Sequence, residues 1–155
     1  MIARLTVLLI AAGAAVAQTA GQSEGVSARV TAGMALQYLD EPWVWALGAS
    51  VRIPVYGRFS LEPEFAAAGS VYRQWTFIPN LVLDLGDRQK RAITYLIGGV
   101  GYLHEFDTRI DYARDSWIWN AGVGFRIRAG KRVFVSPEFR IGHLARASVS
   151  IGYFF

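Results

Sequence analysis

Trp117-Ile118-Trp119-Asn120-Ala121-Gly122-Val123-Gly124-Phe125-Arg126-Ile127-Arg128 decides the fold. Trp117, Trp119, Ala121, Val123, Phe125 and Ile127 are apolar, while Asn120, Gly122, Gly124, Arg126 and Arg128 are small or polar. A period of two puts the first set on one face of a strand and the second on the other. A helix would scatter both sets around its axis.

The same period runs outward in both directions. Towards the C-terminus, after Ala129-Gly130-Lys131, Val133, Val135, Pro137, Phe139 and Ile141 oppose Ser136, Glu138 and Arg140. Val149, Ile151, Tyr153 and Phe155 then oppose Ser148, Ser150, Gly152 and Phe154. Towards the N-terminus, a first strand from Val26 sets Val26, Ala28, Val30, Ala32, Met34 and Leu36 against Ser27, Arg29, Thr31, Gly33 and Gln37. Asp40-Glu41-Pro42 ends it. A second sets Trp43, Trp45, Leu47, Ala49, Val51 and Ile53 against Val44, Ala46, Gly48, Ser50 and Arg52, with Pro54 to Gly57 as its turn. A third sets Phe59, Leu61, Pro63 and Phe65 against Ser60, Glu62, Glu64 and Ala66. A fourth, from about Val71 to Leu85, sets Trp75, Phe77, Leu81, Leu83 and Leu85 against Gln74, Thr76, Asn80 and Asp84. The fifth, about Ala92 to His104, carries Gly on both phases, so its faces stay open; Glu105 to Ser116 reads as a polar loop. Eight strands with short connections predict an all-β, antiparallel, closed barrel.

Composition agrees. The 155 residues are 53% hydrophobic and 18% charged, which excludes a disordered chain, and they include 16 Gly and no Cys. Without Cys there is no disulfide framework, thiolate metal site or cysteine nucleophile. The net charge of +4 raises a nucleic-acid partner, but the basic clusters Arg88 to Arg91 and Lys131-Arg132 fall at predicted turns and form no stripe.

Residues 1–17 are a separate object. Arg4 precedes an apolar run from Leu5 to Val16, and Ala15-Val16-Ala17 is a small-x-small cleavage site. That is the secretory signal pattern, too short for a membrane anchor. Residues 18–25 read as a polar lead-in and 26–155 as the barrel domain.

Trp43 to Phe65 also aligns without gaps on Trp117 to Phe139, with nine identities in 23 positions, among them Gly48/Gly122, Arg52/Arg126 and Glu64/Glu138. The offset spans four strands, half of such a barrel. Duplication and convergence on common barrel rules both account for it.

Alternation alone does not say which face is inside, and a soluble lipocalin-like barrel alternates too. Three features predict the inverted arrangement. Small residues (Gly33, Gly48, Gly122, Gly124, Gly152) occupy the polar face, where an eight-stranded interior is crowded. Aromatic residues gather at the ends of the apolar face: Trp43, Trp45, Trp75, Trp117 and Trp119 towards one rim, Phe59, Tyr153 and Phe155 towards the other. The polar face carries four bases (Arg29, Arg52, Arg126, Arg140) and four acids (Glu62, Glu64, Asp84, Glu138), able to neutralise one another when enclosed.

With these features the chain resembles the small eight-stranded outer-membrane barrels of the OmpA transmembrane-domain and OmpX kind, over about Val26 to Phe155. The ending Val149-x-Ile151-x-Tyr153-x-Phe155 is similar to that family's signal for the barrel-insertion machinery, and Gly98 to Tyr102 looks like its fifth strand. The resemblance implies the bacterial outer membrane and membrane lipid as the surroundings. No peptidoglycan-binding domain follows Phe155, and three of the four expected external loops are very short, which weakens an adhesin reading.

Chemistry is sparse. His104 and His143 are expected near the outer rim. Arg140-Ile141-Gly142-His143 is similar to the start of the lipid A deacylase motif, but Ala145 stands where that family has Ser, and no acid follows His143. No metal-ligand cluster or cofactor motif is present. Arg73, Asp107, Arg109, Asp111, Arg114 and Asp115 form a mixed-charge rim that could meet lipopolysaccharide. The leading expectation is a non-enzymatic structural barrel with a plugged or narrowly gated lumen. A narrow small-solute channel and a lipid-modifying enzyme are the alternatives, and the oligomeric state stays open.

Overall fold

The alternating segments pair with their sequence neighbours, and the last pairs with the first. The computed structural model describes residues 25–36, 44–69, 72–88, 90–107, 112–143 and 145–155. Eight strands follow one another: β1 (Ser27–Leu36), β2 (Val44–Tyr56), β3 (Phe59–Gly69), β4 (Tyr72–Asp84), β5 (Ala92–Asp107), β6 (Tyr112–Arg128), β7 (Val133–Gly142) and β8 (Ala145–Phe154). They form one closed antiparallel barrel in sequence order. β1 closes it by pairing with β2 through Ser27↔Arg52 and with β8 through Ser27↔Phe154. Closure gives each strand two partners, so the sheet has no free edge. Both described ends of the chain and the β2–β3, β4–β5 and β6–β7 connections lie at one end, here the termini end; the other is the far end.

Burial follows the strand period with the polar residues inside. In β8 and at the following Phe155, Val149, Ile151, Tyr153 and Phe155 are exposed while Ser148, Ser150, Gly152 and Phe154 are buried. Val30 is 66% exposed, whereas its neighbour Arg29 is buried. This inverts the arrangement of a water-soluble protein, whose charged residues are almost never fully buried.

The structure corrects two local expectations and assigns the faces of a strand that the sequence left open. The turn drawn over Pro54 to Gly57 is narrower: β2 runs to Tyr56, which pairs with Phe59 after a register shift between Pro54 and Tyr56. The hairpin closes on Gly57-Arg58, with Gly57 at φ 54°, a left-handed conformation that glycine adopts at no steric cost. The loop drawn over Glu105 to Ser116 is mostly sheet, since β5 and β6 pair out to Asp107↔Tyr112. Opposite charges face each other there at Glu105↔Arg114, which supports pairing although the apolar alternation has stopped. The open case is β5. Ile93, Tyr95, Ile97 and Leu103 point inward and are buried, while Leu96 and Val100 point outward and are exposed.

The interior is also less uniformly polar than the alternation implies. Ile78, Leu103 and Ile118 form one apolar cluster, and Val82, Tyr95 and Ile97 another. Two glycines make room for aromatic rings. Gly124 lies opposite Tyr95 and Gly152 opposite Phe134, and a Cβ at either would run into the partner ring.

Candidate functional site: the charged lumen

Short polar-phase side chains on β1, β2, β3, β7 and β8 leave space at the barrel axis, and long charged side chains fill it. Arg29 of β1 is the centre. Its Nε donates to Ser50 Oγ at 3.0 Å and its Nη1 to the Tyr95 hydroxyl at 3.0 Å. Its Nη2 pairs with Glu62 and donates to Glu138 Oε2 at 3.1 Å. Glu62 is fully buried, and its second oxygen accepts from Arg52 Nε at 2.6 Å.

From there an alternating ladder extends both ways. Towards the termini end, Arg52 lies 3.5 Å from Asp84, which also meets Arg126 Nη2 at 3.2 Å and Arg88 Nε at 2.7 Å. Towards the far end, Glu138 accepts from Tyr95 Oη at 2.8 Å and from Arg140 Nε at 2.6 Å. Arg140 Nη2 and Arg146 Nη2 then hold the two oxygens of Glu64, each at 2.7 Å. Each carboxylate touches at least two guanidinium groups, which is the condition for keeping ionised groups out of water.

All eight charged residues expected on the polar face lie in this network. Two details differ from the expectation. Asp84 serves three arginines, Arg52, Arg88 and Arg126, rather than one. The ladder is not a four-against-four balance, because Arg88 and Arg146 join it, one near each end. Arg88 reaches back from the β4–β5 turn to Asp84. Arg146 shares the inward phase of Ser148, Ser150 and Gly152, and that phase was the sequence signal for it.

The half-barrel repeat has a counterpart here. The equivalent residues Arg52 and Arg126 meet on the single carboxylate of Asp84. The equivalent residues Glu64 and Glu138 meet on the single guanidinium of Arg140.

The outer surface completes the pattern. Trp45, Trp75, Trp117 and Trp119 are exposed at the far end, and Phe59, Tyr153 and Phe155 at the termini end. Between them lie exposed Leu47, Phe65, Leu81, Leu96, Val123, Phe139 and Ile151. Trp43 lies outside the described residues. A closed barrel with an apolar belt between two aromatic rings and a charged interior suits a bilayer and not water. The fold is that of the small outer-membrane β-barrels.

Solved structures of that kind share it. The N-terminal β-barrel domain of Pseudomonas aeruginosa OprF superposes with a TM-score of 0.68 at 12% identity, covering 83% of this chain and 97% of that one. Neisserial surface protein A gives 0.67 at 11% identity, covering 84% and 96%. Ail, the attachment invasion locus protein of Yersinia pestis, gives 0.51 at 11% identity, covering 84% and 96%. No protein-family model matches the chain, and no curated protein does.

Both histidines lie at the far end of this barrel. His104 Nδ1 is 2.7 Å from Asp115 Oδ1 across the β5–β6 ladder, and its ring packs against Trp75 at 5.3 Å. The backbone N–H of His143 donates to Trp119 O at 3.2 Å. Among the described residues no serine or threonine hydroxyl is hydrogen-bonded to either histidine, and no His/Asp/Glu group is arranged to hold a metal ion. Of the mixed-charge rim, Arg73, Arg114 and Asp115 are exposed at the far end, Asp107 ends β5, and Arg109 and Asp111 lie outside the described residues. At the termini end Arg132, in the β6–β7 turn beyond the spanning strands, donates to the Tyr153 hydroxyl at 3.0 Å, which raises its pKa further.

Proposed function

We propose that the protein is a non-enzymatic structural barrel of a bacterial outer membrane, with its lumen closed by paired charged side chains. One observation carries this reading: the ladder from Asp84 through Glu62 and Arg29 to Glu64 crosses the barrel axis with Glu62 fully buried. An eight-stranded barrel is just wide enough for side chains to fill, so such a ladder blocks solute flow. The apolar belt and its aromatic rings support a lipid setting, and the barrels it superposes on support the outer membrane in particular.

In this reading residues 1–17 direct export and are removed after Ala17, and residues 18–25 lead into the barrel. Val149, Ile151, Tyr153 and Phe155 form the terminal pattern presented to the insertion machinery. The termini end faces the periplasm, and the far-end rim with Arg73, Arg114 and Asp115 meets lipopolysaccharide. An enzymatic role has weaker support, because a nucleophile needs a base within hydrogen-bond reach.

Cell fractionation with heat-modifiability on a gel tests the location, and planar-bilayer recording tests the plug. The expected results are membrane recovery, a mobility shift on boiling, and rare, brief openings. Recovery in the soluble periplasm without a shift rejects the membrane reading. Large, steady conductance rejects the plug in favour of a narrow channel. Such a channel would prefer anions, because among the described residues six arginines line the ladder against four carboxylates.

A further inference from the structure

The far end of the lumen contains a small cavity that the ladder does not fill, with apolar Ile78, Ile118 and Trp119 in its lining beside the polar side chains. It has a volume of about 50 Å³ and is bordered by Arg140, Arg146, Asn120, Thr76, Glu64 and His143, among others. That is several times the ~10–15 Å³ that one water needs, enough for a compact polyatomic ion.

Two guanidinium donors of residues that border this cavity meet no acceptor among the described residues; both are shielded in the structure, so a small rotation of each guanidinium must turn it towards a guest. Arg140 gives Nε to Glu138 and Nη2 to Glu64, which leaves Nη1. Arg146 gives Nη2 to Glu64, which leaves Nε. The two arginines are direct partners across the β7–β8 ladder, so their spare donors belong to neighbouring side chains on one wall. Asn120 adds an amide whose oxygen is likewise buried and unpartnered, and a flip of that amide would present a donor instead.

Charge decides between water and an anion. Glu64 is shared by both arginines, and Glu138 is already engaged by Arg29 and Tyr95. Among the described residues the remaining inward far-end acid, Glu105, accepts from Gln74 and does not border the cavity. Among the described residues the wall therefore keeps a surplus of positive charge. Water would meet the donors but not the charge. Guanidinium groups suit the oxygens of phosphate, whose geometry matches their planar fork.

Access comes from a step in the wall. β6 pairs with β5 as far as Tyr112, but with β7 only as far as Asn120↔Gly142. Beyond that point β6 stands without β7, beside exposed Trp119 and His143 at the level of the far-end aromatic ring.

We propose that this cavity binds a phosphate-type oxyanion, with Arg140 and Arg146 as its principal donors and Glu64 as the internal competitor for them. The anion comes either from free phosphate or from the phosphate monoester of a lipid headgroup. The site is independent of whether the lumen conducts.

The test uses the whole barrel refolded in nonionic detergent and titrated calorimetrically with inorganic phosphate at constant ionic strength. A second arm titrates it with mixed micelles containing phosphatidic acid, against phosphatidylcholine alone. Saturable binding is expected in at least one arm, and the arm that saturates names the source. Arg146→Gln should weaken it by about tenfold or more, while the charge-matched Lys131→Gln on the exposed turn leaves it unchanged. Glu64→Gln should tighten it, because it frees both arginines, and a merely structural Glu64 would not produce that gain. Heat-modifiability checks that each variant is folded. If Arg146→Gln is not, Arg146→Lys keeps the charge, loses the fork and should bind with intermediate affinity. Absence of saturation in both arms, equal affinities for Arg146→Gln or Arg146→Lys and Lys131→Gln, or no tightening in folded Glu64→Gln overturns the proposal.

Discussion

Glu62→Gln is the sharpest perturbation of the lumen, because it changes one charge and almost no volume. The Glu62 carboxylate holds Arg29 with one oxygen and Arg52 with the other, and Ser50 donates to it at 3.2 Å. The amide keeps one acceptor but turns an NH2 group towards a guanidinium donor. Arg52 is left with Asp84 alone at 3.5 Å, and Asp84 must then serve Arg52, Arg88 and Arg126 together. Removing one partner from a buried ion pair costs about 3–5 kcal/mol, roughly a fifth or more of a typical domain's ~5–15 kcal/mol. Adding Arg52→Gln should recover part of that loss. Arg29 still has Glu138 at 3.1 Å, and Asp84 still has Arg88 and Arg126, so no charge is stranded. Urea unfolding in phospholipid vesicles, followed by tryptophan fluorescence, measures all four corners of the cycle. The double variant should be more stable than Glu62→Gln alone, with a coupling of roughly 1–3 kcal/mol. A double variant no more stable than the single, or additivity within ~0.5 kcal/mol, refutes the ladder as a set of coupled charges.

Three further outcomes follow from the same geometry. Val123→Arg places a charge on the apolar belt and should cost about 2–4 kcal/mol in vesicle unfolding, and a neutral effect would mean that this face does not meet lipid at mid-depth. Gly124→Val drives a side chain into the Tyr95 ring across the ladder and should cost about 1–3 kcal/mol, whereas Gly130→Val in the open turn should cost little; equal thermal shifts would deny the packing. Glu138→Gln removes the charge that faces Arg29 and Arg140 and keeps only one of the two acceptor oxygens, and should lengthen openings in planar bilayers; unchanged traces would show that Glu138 is not part of the barrier.

The two faces of β6 could be read because tryptophan and arginine cannot trade places cheaply, so Trp117, Trp119, Gly124 and Arg126 mark the phase without ambiguity. β5 offered no such contrast. Its inward Ile93, Ile97 and Leu103 are as apolar as its outward Leu96 and Val100, because the lumen beside β5 is filled by hydrocarbon and by the Tyr95 ring. Glu105 to Ser116 looked like a loop for a different reason. Beyond the aromatic ring both faces of a strand can be wet, so the hydrogen-bonded ladder continues while the apolar period that reveals strands does not. Arg88 was hidden by its place after Gly86-Asp87, where a charge reads as solvated; only the folded turn brings it back on Asp84 four residues earlier. The cavity between Arg140 and Arg146 depends on where β7 stops relative to β6, and residue type does not encode that directly.

The charged interior has a consequence for register that the apolar belt alone lacks. The outer surface is a nearly continuous apolar sheet, and lipid would accept many alternative pairings of it. A slip of one residue on β3 exchanges its faces, taking Glu62 and Glu64 from the lumen to the belt and putting Leu61 and Phe65 inside. The same slip on β7 would expose Glu138 and Arg140. A midplane Arg on the lipid side costs about 2–4 kcal/mol and an acid less, but each slipped charge also strands its former partners in the lumen at about 3–5 kcal/mol. Two such losses equal the ~5–15 kcal/mol that holds a typical domain together. Arg29, on the first strand, contacts Glu62 and Glu138 on the third and seventh. The ladder therefore ties the registers of β1, β3 and β7 to one another across the axis, which backbone pairing between adjacent strands cannot do. A chain whose lumen charges were all replaced by apolar residues of equal volume should still form a sheet in lipid, but in several registers. Site-specific crosslinking at the closing β1–β8 pair Val30↔Ile151 would resolve one product for the native lumen and a ladder of offset products for the replaced one. A single product from the replaced lumen would assign register to the backbone and turns alone.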